Sequence, residues 1–139
     1  MLSSSLTGLV SDRAHVPDVA QAGAWPTLLV VDPDPDFRGT LVCYLEKRGF
    51  HVAAGGSVAD VKEFIYRRKN WSLVITDCHL PDGTGAELSD WLESQGCDAP
   101  VLLMSNHPRA AALFAGLECL AKPFPMEKLE GYIRGFRRG

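Results

Sequence analysis

The chain has 139 residues, enough for one hydrophobic core and too few for two. With a formal net charge of −3 it carries no overall basic excess for gripping a nucleic-acid backbone, and its 46% apolar and 22% charged residues are the composition of an ordinary globular domain. No apolar run approaches the roughly 18 residues of a membrane span, and the start, MLSSSLTGLVSDRAH, lacks the basic and apolar regions of an export signal.

Residues 1–25 show little periodicity and many small side chains, so a flexible N-terminal tail is expected there, with the folded domain over 26–139. TLLVVD, from Thr27, is a continuous apolar run, the pattern of a strand covered on both faces. PDFRGTLVCYLEKRG then places Phe37, Leu41 and Leu45 at helical spacing, with Asp34 as N-cap, Pro35 at the first helical position and Gly49 at the close. HVAA is a second strand, and SVADVKEFIYRRKN a helix capped by Ser57 with Val58, Val61 and Ile65 on one stripe.

SLVITD is a third strand, apolar until its final acid, and LPDGTG a turn cluster. AELSDWLESQG follows as a helix, with Leu88, Trp91 and Leu92 inward and Gly96 past its end. VLLMS is a fourth strand, PRAAALFAG a short helix, LECLA a fifth strand, and PMEKLEGYIRGFRR a last helix through Leu129, Tyr132, Ile133 and Phe136. Five strands alternating with five helices predict an α/β fold, a parallel doubly wound sheet with right-handed crossovers. The four cysteines (Cys43, Cys78, Cys97 and Cys119) have no CxxC spacing; free thiols in a reduced, cytoplasmic protein are expected.

Sites in such sheets lie at the carboxyl ends of the strands. The residues expected there are Asp32, Asp77 and Ser105, with Lys122 just after the fifth strand. Two close carboxylates ionise together only beside a cation, and Mg²⁺ takes carboxylate and backbone oxygens while keeping several waters. With Lys122 as a second, fixed charge, the set suits phosphoryl transfer, which is mostly positioning and charge neutralisation. Asp77 is the candidate nucleophile, forming an acyl phosphate, and Ser105 a donor to a phosphoryl oxygen.

In order, VVD, LVITDCHLPDGTG, VLLMS and LAKPF resemble the receiver domain of two-component response regulators over residues 27 to 138. The resemblance implies a five-stranded flavodoxin-like fold and no enzymatic turnover. Asp77 would take a phosphoryl group from a sensor histidine kinase or phosphotransfer protein and pass the signal to a downstream protein. It implies that Lys122 contacts the phosphoryl group through a loop with a cis Lys122–Pro123 bond, and that Ser105 reports phosphorylation by moving inward. Mg²⁺ would be held by Asp32, Asp77 and the backbone carbonyl of His79. The net charge and the absence of a long apolar run argue against direct nucleic-acid or membrane contact, and the oligomeric state is left open.

Three departures stand out. Receivers usually carry two adjacent acids after strand one, the second binding the metal directly; here Pro33 occupies that place. Asp34 either swings into the metal position or caps the first helix, capping being the commoner use, so weak metal binding is expected. Cys119 stands where receivers usually have an aromatic residue, and the stretch from Ser105 to Lys122 is short, leaving the fourth helix about two turns. One alternative is a pseudo-receiver, an interaction module that is never phosphorylated. Another is a haloacid-dehalogenase-type phosphatase, in which VVDPD would supply Asp32 as nucleophile and Asp34 as acid; Asp77 and LPDGTG would then go unexplained.

Overall fold

A computed structural model describes residues 27–107 and 117–138. The tail expected over 1–25 and the short helix expected over 108–116 lie outside the described residues.

Strands β1 (Thr27–Val31), β2 (His51–Gly55), β3 (Leu73–Asp77), β6 (Val101–Ser105) and β7 (Glu118–Ala121) form one sheet in the order β2-β1-β3-β6-β7. Every pairing is parallel, with Val30 beside Ala54 and Ile75, Ile75 beside Leu102, and Met104 beside Leu120. Helices α1 (Pro35–Lys47), α2 (Val58–Arg67), α3 (Gly85–Ser94) and α4 (Met126–Arg138) cover both faces. This is the five-stranded doubly wound sheet expected; four of the five expected helices fall among the described residues.

Alternation along the strands explains the two layers. Leu28, Val30, Ile75, Leu102 and Met104 face one side, against Leu41 and Leu45 of α1 and Leu129 and Ile133 of α4. Leu29, Val31, Val74 and Leu103 face the other, against Val61, Phe64 and Ile65 of α2 and Leu88 and Leu92 of α3. Neither face of a central strand meets water, which is why these runs read as continuously apolar. Each such side chain, fully buried, contributes about 1.5–3 kcal/mol.

Helix ends follow the signals in the sequence. Asp34 and Ser57 cap α1 and α2 with side-chain oxygens. Gly49 and Gly96 take positive φ after α1 and α3, and the Phe50 N–H returns to the Leu45 carbonyl to close α1.

The expected LPDGTG turn is a small antiparallel hairpin, β4 (His79–Leu80) with β5 (Gly83–Thr84). Its two-residue arms are too short to show period-2 alternation in sequence. Thr84 ends the hairpin and caps α3 in a reciprocal capping box with Glu87.

Candidate functional site

The crossovers bring the carboxyl ends of β1, β3 and β6 to one edge, with the loop after β7 beside them. Asp32 leaves the end of β1, where its backbone N–H donates to the Gly55 carbonyl and its own carbonyl accepts from Arg38 Nη1 at 2.7 Å. Arg38 is almost fully buried, and a Cβ on Gly56 would stand 2.6 Å from its Nη1. Sequence periodicity gives no hint of this arginine; a cation on the inward side of α1 is its one trace.

Lys122 is the centre of the site. Its Nζ donates to Asp32 Oδ2 at 2.7 Å and to Asp77 Oδ1 at 2.8 Å, joining residues 90 and 45 positions away. Its backbone N–H is fixed by the Ser105 carbonyl at 2.8 Å, and the Lys122–Pro123 bond is cis. The structure therefore brings Asp32, Asp77 and Lys122 into direct contact.

Burial separates the two carboxylates. The Asp32 side chain is 1% exposed and that of Asp77 14%. Burial pushes the Asp32 carboxyl above the usual range, against the pull of its hydrogen bond to Lys122 and that from the Asp34 N–H. Burial also pulls on the Lys122 ammonium, but its hydrogen bonds to Asp32 and Asp77 outweigh that and raise its pKa. Asp77 Oδ2 accepts from the His79 N–H at 3.2 Å, so both oxygens of the accessible carboxylate are oriented.

Asp34 faces the helix. Its Oδ1 accepts from the backbone N–H groups of Asp36 (3.0 Å) and Phe37 (3.4 Å), while its own N–H donates to Asp32 Oδ1 at 2.9 Å. Among the described residues, no group of three His, Cys, Asp or Glu side chains stands together as a ready metal cage. Asp32 and Asp77 nevertheless fit a water-rich Mg²⁺, which one or two carboxylates suffice to hold. The His79 ring is exposed on β4.

Ser105 is 3% exposed, and its Oγ both accepts from the His107 N–H and donates to the His107 carbonyl. It also pairs with the Cys78 thiol, which in turn meets Cys119, joining residues of β6, the β3 end and β7. Burial is the main cause that pushes Cys78 up to about 11, so this thiol stays protonated and unreactive at neutral pH. Cys97 is buried too, while Cys43 lies exposed on α1.

Two further groups hold the edge in place. Asp82, in the β4–β5 turn, accepts from the Val58 and Ala59 N–H groups at 2.8 and 3.0 Å, tying the hairpin to the start of α2. Gly85 begins α3 so close to the sheet that a Cβ would lie 2.9 Å from the Asp77 carbonyl oxygen and 2.6 Å from Leu103 Cδ2.

The chain matches the model of the response regulator receiver domain family over residues 28–134. It is 31% identical over 119 residues to the transcriptional regulatory protein GltR of Pseudomonas aeruginosa, covering 81% of this chain and 49% of GltR. The chain thus spans about half the length of that relative. The non-phosphorylated HemR receiver domain of Leptospira biflexa superposes at TM-score 0.68 and 26% identity, covering 80% of this chain and 93% of that one. The response regulator TrrA of Thermotoga maritima, solved in complex with Mg²⁺-BeF, superposes at TM-score 0.69 and 22% identity, covering 80% and 98%.

Proposed function

Because the chain belongs to the response regulator receiver domain family of two-component systems, we propose that Asp77 accepts a phosphoryl group from a histidine kinase or phosphotransfer protein. The observation that carries this reading is the Lys122 ammonium bridging two strand-end carboxylates, of which Asp77 is the one open to solvent.

An Asp77 carboxylate oxygen attacks phosphorus, the N–P bond of the donor phosphohistidine breaks, and the electron pair returns to the imidazole. The product is an acyl phosphate on Asp77. Lys122, released from Asp77 Oδ1, pairs with the incoming phosphoryl oxygens while remaining in reach of Asp32. Asp32, Asp77 and the His79 carbonyl would hold a Mg²⁺ ion here, and the ion would supply neutralisation of phosphoryl charge. Asp34, engaged as a cap, is outside that set, so affinity for the ion is low.

Ser105 is the reporting hydroxyl: leaving His107 for the phosphoryl group unsettles its contact with Cys78 and, through it, Cys119. That thiol chain takes the place of an aromatic switch. The output is a contact with a downstream protein in the cytoplasm; among the described residues no helix is long and apolar enough to cross a membrane. Burial of Asp32 speaks against its use as a phosphatase nucleophile.

The test is intact mass after incubation with acetyl phosphate and Mg²⁺. One added phosphoryl group on the wild type and none on Asp77→Asn supports the reading. No adduct on the folded wild type turns the weight to a phosphorylation-independent interaction module, the role that Pro33 favours.

A further inference from the structure

We propose that Phe37 is a positioning residue for phosphoryl acceptance, holding the Lys122 ammonium between Asp32 and Asp77 through the face of its ring. The Nζ stands 4.5 Å from the ring centroid, inside the range of a cation–π contact. Phe37 is in turn fixed by Phe124, two residues beyond the lysine, edge to face at 5.9 Å and 80°. The ammonium is thus gripped on three sides: by Asp32, by Asp77 and by an aromatic face.

The unusual DPDPDF stretch builds this grip. Asp32 Oδ1 accepts from the Asp34 N–H, Asp34 Oδ1 from the Phe37 N–H, the Phe37 ring meets Lys122 Nζ, and Nζ returns to Asp32 Oδ2. The four residues form a closed ring of contacts. Pro35 starts α1 inside it, with φ fixed for a first helical turn. Where a second acid would have added charge beside Lys122, this chain has a turn that places a ring against the ammonium. A lysine stem has four rotatable bonds, and fixing its end lowers the reorganisation needed when phosphoryl oxygens arrive.

An apolar residue at position 37 also serves the core, since Phe37, on α1, packs against the buried cluster beneath α1 and α4. The two roles separate by chemistry: leucine keeps the packing and loses the ring quadrupole, whereas tyrosine keeps both.

This inference rests on phosphoryl acceptance at Asp77, and the experiment reads the two apart. The ε-methylene resonance of Lys122, assigned by its loss in Lys122→Arg, is recorded in wild type, Phe37→Leu and Phe37→Tyr. The acetyl phosphate labelling rate of wild type and both Phe37 variants is measured by intact mass. A ring beneath the ammonium shifts the ε protons upfield. We expect the shift in wild type and Phe37→Tyr but not in Phe37→Leu. Labelling should slow roughly five-fold in Phe37→Leu and return in Phe37→Tyr. If the wild type shows the shift and takes no phosphoryl group, the placement stands but phosphoryl acceptance fails, and the positioning role for it falls. A Phe37→Leu resonance at the wild-type position, or wild-type labelling in Phe37→Leu, overturns the proposal.

Discussion

Lys122 Nζ stands 2.7 Å from Asp32 Oδ2, an ion pair closed across 90 residues around a carboxylate that water hardly reaches. Removing the cation leaves a buried charge without a partner, which costs several kcal/mol. Lys122→Met should therefore destabilise the fold by about 3 kcal/mol in urea denaturation. Adding Asp32→Asn should recover part of that loss. The Lys122 pKa is raised, so the stability from this pair is fully present below the ordinary lysine value of 10.5 and is lost as pH climbs through the higher folded-state value.

Gly85 sets the distance between α3 and the end of β3. A methyl group there meets the Asp77 carbonyl at 2.9 Å, and backbone cannot give way as a side chain can. Gly85→Ala should cost about 2 kcal/mol by overpacking, despite the better helix propensity of alanine. Thermal unfolding checks this, with Gly39→Ala as the contrast, since nothing lies within 4 Å of a Cβ at Gly39.

Glu130 clamps α4 to α1. Its carboxylate accepts from Tyr44 at 3.0 Å, from Arg48 at 3.1 Å, and from Arg134 one turn along α4. Arg134 is the largest cause that pulls its pKa below the ordinary 4.5, with burial opposing. A depressed carboxyl contributes stability above its unfolded value and loses it as pH falls through the folded one. Glu130→Gln should thus lower stability by about 1 kcal/mol at pH 7, with the difference vanishing well below pH 4.5. Paired denaturation curves at the two pH values read this directly.

Pro33 and Asp34 divide the metal question. Pro33→Asp restores an acid next to Asp32 and should tighten Mg²⁺ binding about ten-fold, measured by calorimetry. Asp34→Ser still caps α1 and should leave the affinity within about two-fold of wild type. A large loss in Asp34→Ser would make Asp34 a ligand after all.

The parts legible in the sequence are those with local causes. Continuous apolar runs announce buried parallel strands, and Asp34, Ser57, Gly49 and Gly96 mark helix ends through bonds a few residues long. The placement of Asp32, Asp77 and Lys122 also follows from topology, because parallel strands put their carboxyl ends on one edge. What the sequence hides depends on partners far along the chain. Nothing near Glu130 in the sequence announces its partners Tyr44 of α1 and Arg48 just past that helix, which join Arg134 on the same carboxylate. Phe37 reads as one more core residue, and its second role exists only once the loop after β7 delivers Lys122. Asp82 looks like a turn former, yet it holds the start of a helix 23 to 24 residues earlier.

On this reading Asp77, and no other acid, carries the phosphoryl group. The most direct measurement is to label the protein with acetyl phosphate and trap it with hydroxylamine. Attack at the acyl carbon releases phosphate and leaves a hydroxamate, which peptide mass spectrometry can locate. The hydroxamate should appear on Asp77 alone. A hydroxamate on Asp32 would contradict it and return the site to a phosphatase-like reading, and a folded protein with none would contradict phosphoryl acceptance itself.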